Sequence, residues 1–355
     1  MKNNLKNIIF VSIAMTCFGC QQECTAQTPI KEVRLANKKI VLILDSISAS
    51  ESIIHDQIDG FFDKVTASEM SIQMKRPLEG KSREALLPYY MGFLQTDVAD
   101  FDYKESKFVA ELITKIHSTC GEVNPDIFPD TLKLIKTKGR HYGDGVWYTR
   151  ENCIIIPANE LATRKTNPFT STLFHETFHV YSRLNPVKSA ALYGLIGFQA
   201  FGYNNLQIPP ALKERVLYNP DGVDFAQRIA LAQEDGTTVH AIPVIFSNSV
   251  GYEPGRDEFF GYVEFNLYQI MDNLDGTWSV ITKEDGWSST LNIDGQTDFF
   301  RQIKDNTGYI IHPDEVLADN FSFIMIGKKT PSLSAKFSPP GKELLKNIEK
   351  ILEAK

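Results

Sequence analysis

His175, Glu176 and His179 are residues whose types and spacing can act together on one metal ion; they stand in the run His175-Glu176-Thr177-Phe178-His179, an HExxH pattern. On a helix, residues four apart share one face, a turn apart. Two imidazoles so spaced can each aim a ring nitrogen at a single zinc ion at about 2.0–2.1 Å. Glu176, beside the first ring, then reaches a water on that ion and serves as its general base. Zinc lowers the pKa of such a water from about 15.7 to roughly 7, which supplies a nucleophile at neutral pH. Zn2+ is therefore the expected cofactor. The alternative is a pair of satisfied structural histidines on an amphipathic helix. Leu173, Phe174, Phe178 and Val180 make the segment strongly apolar, a costly setting for two histidines and a glutamate that have no task.

A catalytic zinc needs a third protein ligand. The extension HExxHxxGxxH is absent, because Ser182 and Asn185 occupy its last two signature positions. A better source is the run His312-Pro313-Asp314-Glu315-Val316-Leu317-Ala318-Asp319. Pro313 suits the first turn of a helix, and Glu315 and Asp319 then share one face. Glu315 can ligate zinc while Asp319 accepts the outer N–H of a ligand histidine and fixes its tautomer. Glu234 and Glu264 compete for the ligand role, but Thr238 and Tyr268 stand four residues beyond them where an acid is wanted. Glu315 also has a simpler explanation, as a first-turn acid favoured by the helix dipole. For the developing oxyanion an electrophilic helper is expected. Tyr193 is the first candidate, with His240, Tyr309 and His312 as others; a core aromatic is the more common explanation for a residue such as Tyr193.

This pattern resembles the gluzincin zinc peptidases, the thermolysin-like group, which pair HExxH with a Glu on a second helix and an Asp four residues later. The resemblance covers residues 146–186 and 310–326. It implies His175, His179 and Glu315 as metal ligands, Glu176 as general base and Asp319 as the partner of the first histidine. It also implies an edge strand along which an extended substrate binds, here residues 152–157. The departure is the gap: Glu315 lies 136 residues beyond His179, longer than the usual gluzincin spacing unless a self-contained excursion fills it.

The elements that must position these groups follow from periodicity. Residues 39–44 and 131–136 read as strands, and residues 146–156 as one strand ending at Pro157. Residues 50–74 and 106–117 have apolar positions at helical spacing. The motif helix spans residues 169–184, with Thr170 or Ser171 as cap and Pro186 beyond its end; residues 189–198 add another helix. Between residues 202 and 306 the composition shifts to Gly, Asn, Asp and Pro, with strand-like runs at 228–232, 237–246 and 259–267 and turn signals between them. Helices return at 314–326 and 341–354. The expected fold is α+β: a zincin-like core of edge strand, active-site helix and glutamate helix, built from residues 36–201 and 307–355, with a β-rich insertion at 202–306.

The full chain has 355 residues, 43% of them hydrophobic, and a formal charge of -7. Phosphate binding is driven by Lys and Arg, so an acidic chain with scattered basic residues points away from nucleic acid. Residues 1–19 read as a targeting segment: Lys2 and Lys6 precede a short apolar run that ends in Gly19-Cys20. This looks like a bacterial lipoprotein signal, with cleavage before Cys20 and lipid on its thiol; an ordinary signal peptide with an incidental Cys20 is the alternative. Residues 20–35 follow as a polar tether. Of the remaining cysteines, Cys120 and Cys153 are the one pair that an oxidising compartment could bridge, although nothing in their spacing demands it.

The expected protein is thus an exported metallopeptidase, lipid-anchored to the bacterial cell envelope and acting on a peptide or protein substrate. Two other readings stay open: a surface ligand-binding lipoprotein with a structural or vestigial zinc site, and a zinc amidase acting on cell-wall material. The anchor has a direct test. Cys20→Ser should abolish incorporation of radiolabelled palmitate in a bacterial host; a variant that still takes up label would remove Cys20 as the lipidated residue.

Overall fold

A computed structural model describes residues 27–202 and 205–354, and these form an α+β fold with two sheets. Residues 1–19, read above as a targeting segment, and Cys20 and Cys24 lie outside the described residues. Among the described residues no helix is long and apolar enough to cross a membrane.

The first sheet contains β1 (Glu32–Arg34), β2 (Ile40–Ile43), β3 (Val98–Ala99), β4 (Thr131–Thr137), β5 (Tyr148–Arg150) and β6 (Cys153–Pro157). Its order is β1-β2-β4-β6-β5, with β3 paired antiparallel to the end of β4. Strands β2, β4 and β6 run parallel, and β5 is an antiparallel edge. Parallel strands are buried on both faces, and β6, Cys-Ile-Ile-Ile-Pro, is buried at every position. One face packs on α1 (Ser46–Ser52), α2 (Phe61–Lys64), α3 (Ala67–Met74) and α4 (Arg83–Asp97), through Phe61, Met70, Leu86 and Tyr90 against Ile135 and Ile155. The other packs on α5 (Tyr103–Gly121), whose Asp102–Glu105 capping box fixes its start, and on the helix that carries the motif.

Several expectations need correction. Residues 50–74 are not one helix: the apolar spacing runs across Gly60, which sits at φ 61 and starts α2, so the stretch is broken into α1, α2 and α3. Residues 146–156 are not one strand but the β5–β6 hairpin, turned at Glu151 with φ 53. A non-glycine at positive φ is uncommon; here the Glu151 carboxylate is committed to the N–H groups of Ile58 (2.6 Å) and Asp59 (3.1 Å). Consequently residues 152–157 are interior, and the sheet edge is β5. Strand β1 also falls within the stretch read as tether.

After α6 (Ala158–Thr163) comes α7 (Thr166–Leu184), the motif helix. It starts before the expected caps: Thr170 lies inside it and donates to the Thr166 carbonyl at 2.6 Å, while Ser171 bonds Ser322 at 3.1 Å. Helix α8 (Pro186–Leu195) follows directly.

The second sheet contains β7 (Phe198–Ala200), β8 (Leu206–Gln207), β9 (Gln227–Ala232), β10 (Thr238–Ser247), β11 (Val263–Asp272) and β12 (Trp278–Val280), in the order β7-β9-β10-β11-β12-β8. Helix α9 (Pro210–Lys213) covers one face with Leu212 against Ile242, Val244 and Tyr268. The other face, through Ile229, Leu231, Ala241 and Leu267, joins the main core together with α10 (Thr297–Ile303). The β-rich region therefore carries a core of its own on one face and shares the main core on the other. Helices α11 (Pro313–Gly327) and α12 (Pro339–Glu353) close the core.

Cys120 and Cys153 are both free and buried, in clusters on opposite faces of the first sheet. Burial pushes both thiols up, Cys153 to about 12.

Phe178 is fully buried on α7, with its ring 5.4 Å from that of Phe321 on α11. Phe178→Ala should lower unfolding stability by about 3–5 kcal/mol, measured by urea denaturation of the purified protein. A loss well under 1 kcal/mol would contradict this account of how α7 and α11 are joined.

Candidate metal centre

Helices α7 and α11 lie against one another in opposite directions, since Ser182 and His179 meet Asp314 while His175 meets Asp319 and Ser171 meets Ser322. The two motif rings therefore face three acids of α11. His175 Nδ1 is 3.0 Å from Asp319 Oδ1, and its Nε2 is 3.0 Å from Glu315 Oε2. His179 Nδ1 is 2.8 Å from Asp314 Oδ2, and its Nε2 lies 3.3 Å from the same Glu315 oxygen. Each ring thus has its outer nitrogen held by one carboxylate, with both inner nitrogens turned to another. Ligand histidines are commonly oriented by such an outer carboxylate.

The sequence candidates His175, His179, Glu315 and Asp319 are brought together. Asp314, the partner of His179, was not identified from sequence; its signal was only its presence beside Glu315. It accepts from Ser182 Oγ (2.6 Å) and from the Tyr193 hydroxyl (2.6 Å). This corrects Tyr193: its hydroxyl is spent behind His179, and it is not among the residues lining the cleft. Tyr309 lines the cleft instead, 43% exposed, with its ring 6.0 Å from the His175 ring and 26° from parallel. His312 caps α11, accepting the Asp314 N–H at 3.1 Å, and His240 stacks edge-on against Trp278. Neither belongs to a group able to hold a metal. Glu234 and Glu264 are absent from such groups as well.

The β-rich region adds two residues that no local pattern announced. Asn219 donates to Glu315 Oε1 at 2.7 Å. Asp221 lies with Glu176 and His179 in a second group of donors. Arg183, at the end of α7, ties this loop to the β5–β6 hairpin through the carbonyls of Pro220 (2.9 Å) and Glu151 (3.1 Å) and the Thr149 hydroxyl (2.9 Å).

Electrostatics follow from burial. Burial opposes protonation of His175, but hydrogen bonds to Asp319 and Glu315 outweigh it and bring the ring up to about 10. His179 is raised for the same reason, with Glu315, Asp221 and Asp314 outweighing burial. Burial works against ionisation of Glu315, yet the charges of His179 and His175 hold it well below the usual carboxylate range. Glu176, 4% exposed, is pushed up to about 8 by burial and then by Asp221.

The donor set fits a divalent ion. Two imidazole nitrogens and a carboxylate oxygen lie within 4.8 Å of one another, a His2Glu set of the kind that holds catalytic zinc. His179 Nε2 and Glu176 Oε2 are buried without a hydrogen-bond partner, a state that normally has an explanation. A cleft of about 670 Å³ opens on His175, Glu176 and Glu315, bounded by Gly145, Trp147, Glu160, Thr172, Phe260 and Tyr309.

No protein-family model matches the chain, and neither the curated proteins nor the solved structures contain a match.

Metal binding should release protons, because ligand imidazoles must be neutral while these two are held charged at neutral pH. At pH 7, zinc titration by calorimetry in buffers of different ionisation enthalpy should show about two protons released per ion, one from each ring. Zero release would contradict the paired, protonated rings. The sign for stability is also fixed. A ring raised above its ordinary value stabilises the metal-free fold fully below about pH 6.5. That contribution is lost as pH rises through about 10.

Proposed function

We propose that this chain is a zinc-dependent peptidase of the gluzincin type, exported and lipid-anchored at Cys20. The observation that carries the reading is the convergence of His175 Nε2, His179 Nε2 and Glu315 Oε2 beneath an open cleft, with Glu176 Oε2 buried beside them and unpartnered. His175, His179 and Glu315 would hold the ion, and Asp319 and Asp314 would fix the two rings. A zinc ion held there supplies a water of lowered pKa and polarises the scissile carbonyl.

The chain's own residues do the rest. Glu176 takes the proton of the attacking water and passes it to the leaving amine, and burial favours a base whose pKa sits near the working pH. Tyr309 is the cleft-lining hydroxyl best sited to donate to a developing oxyanion, the role first considered for Tyr193. Trp147 and Phe260, the latter 58% exposed, offer apolar walls to a substrate. Asn219 holds the second oxygen of Glu315 and so limits it to one inward-facing oxygen. A structural zinc is normally closed by four protein ligands; neither His240, against Trp278, nor His312, at the cap of α11, joins this group of donors.

Glu176→Gln keeps the shape and removes the base. It should retain about one zinc per chain and lose peptide hydrolysis by ~10²–10⁴-fold, measured on a fluorescence-quenched peptide library. Glu315→Ala should lose the metal, whereas Glu234→Ala keeps it. Full activity of Glu176→Gln would sink the mechanism, and a metal-replete Glu315→Ala would sink the ligand assignment.

A further inference from the structure

Two donor sets meet at this centre and share one residue. His175, His179 and Glu315 form the first; Glu176, His179 and Asp221 form the second, and within each the donor atoms lie within 4.8 Å of one another. His179 Nδ1 is committed to Asp314, so the shared atom is Nε2. Atoms bound to one zinc at about 2.1 Å each can stand no more than about 4.2 Å apart. Asp221 does not join His175 and Glu315, which sets it outside the ligands of an ion held by those two. It stands instead on the side of Glu176.

The surroundings of Asp221 hold it in one pose. Its Oδ1 accepts from the Thr149 N–H (2.7 Å) and the Thr149 hydroxyl (2.6 Å) at the edge strand β5. Its own N–H donates to Asn219 Oδ1 at 3.1 Å. The next residue, Gly222, lies directly against the His312 ring: a Cβ there would stand 2.2 Å from His312 Cε1. That contact docks the loop on the start of α11, the helix of Asp314 and Glu315. With Oδ1 occupied, Oδ2 is the oxygen left for the cleft, which Asp221 lines.

A water has two hydrogens, and a single acceptor leaves it free to rotate about that one bond. From this geometry we infer that Asp221 is a positioning residue for the attacking water, and this rests on the peptidase reading above. Glu176 Oε2 receives one hydrogen and Asp221 Oδ2 the other, which turns the oxygen lone pair toward the substrate carbonyl. In the step itself the water oxygen bonds to the carbonyl carbon and the carbon–nitrogen bond breaks. The proton taken by Glu176 goes to the amine nitrogen, while Asp221 keeps its charge and its hydrogen bond throughout. The edge strand and the β-rich region thereby act on the reaction through one carboxylate.

Asp221→Asn tests this, since its amide oxygen still accepts from Thr149 and only the second acceptor is lost. With a peptide that the wild type cleaves, taken from the quenched library, kcat should fall ~10²-fold with KM nearly unchanged. Zinc affinity by chelator competition should change by less than ~10-fold, and the thermal midpoint should hold. Wild-type kcat in Asp221→Asn would overturn the inference. So would a zinc affinity lower by ~10²-fold or more, which would make Asp221 a ligand. Glu176→Gln separates the two levels. If it is dead while Asp221→Asn is fully active, only the positioning role falls. If the wild type holds no zinc, or Glu176→Gln is fully active, the peptidase reading itself falls.

Discussion

The constraint on which the rest of the structure depends is the pairing of two imidazoles on α7 with three carboxylates on α11. His179, Asp314 and Glu315 are each at most 1% exposed. Breaking such a buried pair by removing one partner costs about 3–5 kcal/mol, because it strands an uncompensated charge. The pairing also sets the helix register. Asp314 must reach His179 and Asp319 must reach His175, which allows only antiparallel packing at one offset. Apolar contact between Phe178 and Phe321 then supplies adhesion without having to specify that offset. Burial glues; the carboxylates align.

Local periodicity carried part of this site and long-range topology the remainder. His175 and His179, and likewise Glu315 and Asp319, are each four apart on one helix, so the sequence displays their shared faces directly. Asp314 faces His179 only because the helices are antiparallel, a relation that no single helix contains. Asn219 and Asp221 arrive on a loop whose position is set by Thr149, Arg183 and His312. Tyr193 was singled out as a hydroxyl near the motif, but proximity in sequence put it on the outer side of His179, where its hydroxyl donates to Asp314.

The same division runs through the fold. Alternation and turn residues revealed the β-rich region, and unbroken apolar character revealed the buried strands. The β5–β6 hairpin was hidden because its turn uses Glu151 rather than glycine, held by the backbone N–H groups of Ile58 and Asp59 from another part of the chain. The break of residues 50–74 into three helices was hidden because Phe61, Phe62 and Val65 go on serving the same core after the turn at Gly60. In both cases a tertiary contact overrides the local pattern. The expected boundary at residue 202 has a similar history: Phe198–Ala200 already pairs in the second sheet.

Charge gives the centre its direction. Glu176, Asp221, Asp314, Glu315 and Asp319 surround two rings, and Arg183, at the end of α7, is spent on Pro220, Glu151, Thr149 and Asp59. Two protonated imidazoles cannot neutralise five carboxylates; burial first, then neighbouring acids, raises Glu176 and Asp221, while the rings hold Glu315 down. A dication that displaces the two ring protons leaves the net charge unchanged and gathers it at one point, where the donors already converge beside His179 Nε2 and Glu176 Oε2, which have no hydrogen-bond partner. The shifts thus divide the acids: Asp314 and Glu315, against the rings, are driven to ionise, while Glu176 and Asp221 are held back by burial. A base that must take a proton and later return it gains from such burial, because burial raises its affinity for the proton. Glu176 is placed that way, buried beside the rings yet at the wall of the cleft.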